Sequence, residues 1–200
     1  MRVDGFDKKD YETRDGYLKF WEWENKRYQE RVGRWFPIPI YIIDNYLKEK
    51  QYKSVIDFGC GSHGRGYDLL FSEYQKYIGV DINDIAVNEA KKRHIKNKNA
   101  EFKIIDIDPD KWELPKVDLV YCFTVLVHIL PEHIEKTIKK LLSVCREAIF
   151  IELDSKIPED KYTFYCYKRN YRELVKPDMV LPVPNSELLL FIKKGQRFYE

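Results

Sequence analysis

No two cysteines of this chain stand close enough to form a C-x-x-C unit, because Cys60, Cys122, Cys145 and Cys166 are far apart. That spacing argues against the common zinc frameworks, and three of the four lie within or at the ends of apolar runs, where thiols are commonly buried. A reducing compartment and no metal site are expected. The charge has no dominant sign either: 35 basic against 33 acidic residues leave a formal +2. No strong field advertises a nucleic acid or an anionic membrane as partner. No uninterrupted apolar run approaches the roughly 20 residues of a membrane span. The start, "MRVDGFDKKDYETRDG", is charged. A soluble, cytoplasmic protein is therefore expected. Internal repeats and low-complexity linkers are also lacking, and a length of 200 residues suits one domain with a real core.

What the chain does have is periodicity of two kinds. Tyr17, Trp21, Tyr28, Val32 and Trp35 recur on a helical face, with Phe20 and Trp23 as a second aromatic edge. The "PIPI" from Pro37 to Ile40 must break that helix, since proline lacks the donor and clashes with the preceding turn. A short helix over 40–49 follows. Residues 1–50 thus read as an amino-terminal helical extension packed on a core of residues 51–200.

After Lys53 short apolar runs alternate with amphipathic stretches. "SVIDF", "YIGVDI", "FKIIDI", "VDLVYCF" and "AIFIEL" are expected strands, and 67–74, 85–94 and 134–145 expected helices. The last is clearest: Ile134, Ile138, Leu141, Leu142 and Cys145 fall on one stripe, and Pro131 suits a first turn. Strands of four to six residues separated by helices require crossovers and a parallel sheet buried on both faces. In the tail, "KYTFYCYKRNYRELVK" reads as a strand and a short helix, and "MVLPVPNSELLLFIKKG" as two strands around a Pro-Asn-Ser turn. An antiparallel hairpin should flank the sheet.

"SVIDFGCGSHGRGYDLL" holds the chemistry. Gly59, Gly61 and Gly64 satisfy G-x-G-x-x-G between a strand and a helix, the dinucleotide fingerprint, which alone is weak. Asp81, ending "YIGVD" about 20 residues on, is placed to hold ribose hydroxyls. Asp57 separates the candidate ligands. A pyrophosphate on the turn would be repelled by that carboxylate, whereas an ammonium group would be welcomed. S-adenosylmethionine has this character, with adenosine at one end, an amino group and sulfonium at the other, and no phosphate. Its carboxylate suits the backbone donors that open the helix after Gly61. Asp106 can accept from the exocyclic adenine amine while Ile82 and Ile107 enclose the ring.

These stretches resemble the class I S-adenosylmethionine-dependent methyltransferases. "VIDFGCGSHG" is similar to their first motif, "YIGVDI" to the second-strand motif, "IIDID" to the third and "VDLVYCFTVLVHI" to the fourth-strand segment, over about Val55 to Leu153. The resemblance implies an α/β, Rossmann-like sheet of seven strands, mostly parallel with an antiparallel last strand, helices on both faces and an amino-terminal helical cap. It implies S-adenosyl-L-methionine as cofactor, with Asp57, Gly59 and Gly61 at the methionine end, Asp81 at the ribose, Asp106 at the adenine and Phe123 as the inner wall. The family's third glycine often comes two positions after Gly61; here His63 stands there and Gly64 follows. The loop is one residue longer, and the roles of Ser62 and His63 stay open.

His128 is the candidate general base, since an acidic oxygen or an ammonium acceptor must lose a proton before attack, and histidine takes protons near neutral pH. The plainer reading is a histidine packed at the fourth-strand loop. Tyr17, Trp21 or Tyr28 can cover the donor, Arg31, Arg34 and Arg65 can meet a carboxylate, and Tyr165 and Tyr167 alternate on one strand face; each is equally served by packing or solvation. No Asn-Pro-Pro-Tyr-like element and no Pro-Cys nucleophile appear, and the charge is near neutral, which together favour a small-molecule acceptor over nucleic acid. Two other classes stay open: an NAD-binding oxidoreductase, opposed by Asp57, and a catalytically idle domain that binds the donor as a partner or sensor.

Overall fold

Apolar runs with few intervening polar residues build the middle of a seven-stranded sheet. Its strands are β1 (Ser54–Phe58), β2 (Lys76–Asp81), β3 (Ala100–Ile104), β4 (Val117–Phe123), β5 (Cys145–Leu153), β6 (Met179–Pro182) and β7 (Leu188–Lys194). The computed structural model describes residues 6, 8–31, 43, 45–47, 49–64, 66–71, 76–153, 166–183 and 188–196, the side chains of 10, 25–31 and 69 excepted. The strand order is β3-β2-β1-β4-β5-β7-β6. Pairing is parallel from β3 to β5, while β7 runs antiparallel to both β5 and β6. The expected hairpin is therefore present, with its second strand inserted beside β5. The residues of its Pro-Asn-Ser turn lie outside those described.

Because side chains alternate across a strand, the central strands feed two cores. Ile56, Phe58, Ile78, Val80, Val120, Cys122 and Phe150 face one side. There they meet Ile134, Ile138 and Leu141 of helix α4 (Ile134–Ser143). Val55, Tyr77, Leu119, Tyr121, Ile149 and Ile151 face the other side, against Val87 and Ala90 of helix α3 (Asp84–Arg93). Helices thus cover both faces. Asn83 caps α3 by accepting from the Ala86 amide at 3.0 Å, and Lys91, Lys92 and Arg93 sit in its last turn, where they complement the helix dipole.

Toward the amino terminus lie α1 (Lys8–Tyr11) and α2 (Arg14–Arg31). Thr13 steadies the start of α2, accepting from the Gly16 amide at 3.0 Å. Tyr11, Tyr17 and Phe20 are buried with Leu130, and Trp21, Ile82 and Ile107 pack around them. The aromatic spacing thus lays α2 over the carboxyl end of the sheet.

Three expectations need correction. The third strand ends at Ile104, not Ile107. Only the Ile105 amide continues the ladder, to Asp81 O, before Asp106 turns the chain by accepting from the Asp108 amide at 2.9 Å. Where a helix over 67–74 is expected, Tyr67–Phe71 form a π-helical turn, and 72–74 lie outside the described residues. Cys166 to Asn170 are irregular rather than strand, although the short helix α5 (Tyr171–Val175) follows as expected. Trp35, the "PIPI" segment, Arg34, Arg65 and Tyr165 lie outside the described residues, as do the side chains of Tyr28 and Arg31. Cys60, Cys122 and Cys145 are buried. Among the described residues no helix is long and apolar enough to cross a membrane.

Candidate active site

The strand order reverses between β1 and β4: from β1 the chain moves outward to β2 and β3, then crosses back to β4 on the other side of β1. In open α/β sheets ligands bind beyond the carboxyl ends of the strands at such a point. A cavity of about 300 Å³ opens there, at the lower end of the ~300–1,000 Å³ usual for ligand pockets. Its walls include the glycine turn after β1, residues between Asp81 and Ala86 after β2, Ile105 after β3, residues between Phe123 and Ile129 after β4, and Tyr17, Trp21 and Glu24 of α2. Spacings of four and three put those last three on one helical face.

The glycine turn is shaped by close approach. Gly59, Gly61 and Gly64 all have positive φ, at 76°, 61° and 54°. A Cβ on Gly59 would stand 2.3 Å from Val125 Cγ2, so the turns after β1 and β4 pack directly on each other. A second anchor comes from α3: the ring of His94, stacked on Phe102, donates from Nε2 to His63 O at 2.8 Å and accepts from Asn97 at Nδ1. Ser62 Oγ lies 3.1 Å from His63 Nδ1, and both residues line the cavity.

Two carboxylates stand beneath this turn. Asp57, buried on the Tyr77 face of β1, accepts from the Tyr77 hydroxyl at 2.5 Å and from the Gly66 amide. Gly66 must lack a side chain, because a Cβ there would meet Asp57 Oδ2 at 2.2 Å. Burial raises the Asp57 pKa to about 7; the Tyr77 and Gly66 hydrogen bonds oppose the rise and the Asp81 charge adds to it. Asp81 is also raised by burial, against hydrogen bonds from the Asn83, Gly61 and Ile82 amides. Its Oδ2 accepts from Gly61 N and its Oδ1 from Asn83 N, each at 3.0 Å. With about four acceptor positions on a carboxylate, Asp81 retains capacity for a hydroxyl donor, and Asp57 for an ammonium.

Residues 55–148 match a family model described as a methyltransferase domain. Over that stretch the chain is similar to methyltransferase domains. An mRNA cap guanine-N(7) methyltransferase of Lodderomyces elongisporus is 33% identical over 99 residues, which cover 40% of this chain and 17% of that protein. The chain spans about a sixth of the length of the curated relatives it matches. Among solved structures, the protein PH0226 of Pyrococcus horikoshii superposes with a TM-score of 0.65 at 19% identity, covering 96% of this chain and 100% of that one. The N-methyltransferase NodS of Bradyrhizobium japonicum gives 0.64 at 10% identity, over 87% and 98%. At these identities the two structures speak for the fold alone.

Within the matched stretch, Asp57, Gly59, Gly61, Asp81, Ile82, Phe123 and His128 all line the cavity. Asp106 and Ile107 do not line it. The Asp106 carboxylate meets Arg14 at 3.0 Å and Lys111 at 3.5 Å instead. The Asp108 amide, then those two cations, hold its pKa below the usual value. Ile107 packs into the aromatic cluster of α1 and α2, and Ile105 takes the place on the cavity wall. His128 sits in a 3₁₀ turn, Leu126–His128, with its ring edge-to-face on Trp21 at 4.7 Å and its Nδ1 3.7 Å from Cys166 Sγ. The hydroxyls of Tyr11 and Tyr17 donate to its carbonyl at 2.9 and 3.3 Å.

Several lining or supporting residues gave no sequence signal. Thr124 takes a left-handed φ of 52°, costly for a β-branched residue and typical of strain held at functional sites. Glu24, Tyr77 and His94 belong to ordinary-looking helices and strands. Gly66 and Glu152 did carry a signal, a fourth glycine in the turn and an acid inside the apolar run "AIFIEL".

Proposed function

We propose that this chain binds S-adenosylmethionine in the cavity and transfers its methyl group to a small-molecule acceptor. The observation that carries the reading is the convergence of the buried Asp57, the half-buried Asp81, a positive-φ glycine turn and a histidine on one cavity at the reversal point of the sheet. The donor's chemistry fits what is present. Asp57 supplies the negative charge for an amino group and Asp81 the acceptor for ribose hydroxyls. A Cβ on Gly61 would meet nothing within 4 Å, so that edge of the turn faces open space in which a ligand can lie against backbone. A pyrophosphate on the turn would be opposed by Asp57, which disfavours NAD.

When bound, S-adenosylmethionine supplies an electrophilic methyl on a sulfonium. The protein's work is placement and proton removal. Ile82 and Phe123 give apolar walls, α2 closes the side with Tyr17 and Trp21, and His128 takes the acceptor's proton where the acceptor carries one. No protein nucleophile is needed.

A second reading is an RNA cap nitrogen as acceptor, favoured by the curated relatives, which are mRNA cap guanine-N(7) methyltransferases. The near-neutral net charge weighs against tight phosphate binding. Incubation with methyl-tritiated donor decides between them. Label in a filtrate of small metabolites supports the first reading and label in capped RNA the second. Saturable donor binding without label in either pool would favour an idle donor-binding domain.

A further inference from the structure

The turn after β4 is too short to support itself: 3₁₀ segments of this length have few internal hydrogen bonds and poor geometry. Its own bonds are His128 N to Val125 O at 2.9 Å and Ile129 N to Leu126 O at 3.3 Å. The remaining backbone groups are met from elsewhere in the chain. Glu152, fully buried near the end of β5, accepts at Oε1 from the amides of Val125 (3.0 Å) and Leu126 (2.7 Å), and at Oε2 from Val127 (3.2 Å). From the opposite direction the Arg169 guanidinium donates to the carbonyls of Leu126 and Ile129. The Tyr167 amide donates to Val127 O at 2.7 Å.

A buried carboxylate is costly unless hydrogen bonds and an opposite charge compensate it, and apolar residues would pack as well. On a strand whose preceding residues Ile149, Phe150 and Ile151 are all fully buried and apolar, an acid needs a reason. We propose that Glu152 and Arg169 are positioning residues. One grips the amides and the other the carbonyls of the Val125–Ile129 turn, and together they aim the His128 ring into the cavity. The same grip fixes Val125, against which Gly59 packs, so it also sets the distance between the His128 turn and the glycine turn. This inference rests on His128 serving the cavity's chemistry.

The test uses the full chain as Glu152→Gln, Arg169→Met and Arg169→Lys, observed by NMR of the carbon-bound imidazole and indole protons on the alkaline side of the Glu152 titration, which burial moves up to about 8. Glutamine keeps the shape but sets an amide N–H against one of the three backbone donors. In variants that keep the wild-type circular dichroism, the His128 and Trp21 signals should shift and broaden, because each ring lies in the other's ring current at 4.7 Å. The His94 signals, set by Phe102, should stay. Arg169→Lys, which keeps the charge and reaches one carbonyl, should recover part of the wild-type spectrum, while Arg169→Met should not. Unmoved His128 and Trp21 signals in folded variants would overturn the proposal. If Glu152→Gln does not fold, the two Arg169 variants decide by the same criterion. A parallel titration of the wild type with S-adenosylhomocysteine tests the donor reading separately: its failure would sink that reading without touching the clamp.

Discussion

Acidification should weaken donor binding through Asp57. In the ligand-free protein its pKa is raised to about 7, chiefly by burial. An ammonium group held against that carboxylate favours the ionised form, so binding pulls the pKa down and releases a proton. With a free-protein value of about 7, roughly one molecule in eleven is ionised at about pH 6 and ten in eleven at about pH 8. The affinity for S-adenosylhomocysteine should therefore fall about tenfold from about pH 8 to about pH 6. Calorimetry in buffers of different ionisation enthalpy should register about 0.9 proton released per ligand near pH 6 and about 0.1 near pH 8. Asp57→Asn should bind more weakly and lose most of the pH dependence. Affinity that is flat across this range in the wild type, or proton uptake on binding, would rule out Asp57 as the partner of the ligand's ammonium group.

Gly59→Ala should destabilise the fold by about 2–3 kcal/mol, from a left-handed φ and a methyl 2.3 Å from Val125 Cγ2; in a denaturant cycle Val125→Ala should recover the clash component, and strict additivity would count against direct packing of the two turns. Gly66→Ala should displace Asp57 Oδ2, which lies 2.2 Å from the added methyl, and should reduce S-adenosylhomocysteine affinity at least about tenfold; unchanged affinity in a folded variant would remove Asp57 from the site. Stability should fall as pH rises from about 4.5 to about 8, because burial holds Asp57 at about 7 and Glu152 at about 8 while the unfolded chain ionises near 4. Over that window the folded state binds more protons than the unfolded one, so Tm should drop toward alkaline pH and Glu152→Gln should flatten the curve; a rising Tm would contradict it.

Much of this architecture is legible in the sequence because parallel central strands are continuous apolar runs, and their order of appearance with intervening helices leaves few topologies. The glycine turn and Asp81 are legible because their spacing reflects local backbone demands. Asp106 illustrates the limit. Its place in "IIDID" matches a motif, but whether it faces a cavity depends on where β3 stops, and that is set by the Asp106 to Asp108 turn and by cations from Arg14 and Lys111. The acid in "AIFIEL" marks Glu152 as unusual, but what Glu152 and Arg169 bind was out of reach for a related reason. Their partners are backbone groups some 25 and 40 residues away, and no pattern of side chains records such a bond. The aromatic spacing of α2 announced a buried helix face; only its contact with Ile82, Ile107 and Leu130 shows where that face lies.

The most direct test is a crystal structure with S-adenosylhomocysteine. The ribose hydroxyls should lie on Asp81, the amino group toward Asp57, the carboxylate end along the Gly61 edge of the turn, and the sulfur toward the side of the cavity that holds His128. A ligand whose ribose lies away from Asp81 and whose amino end lies away from Asp57 and Gly61 would contradict this placement.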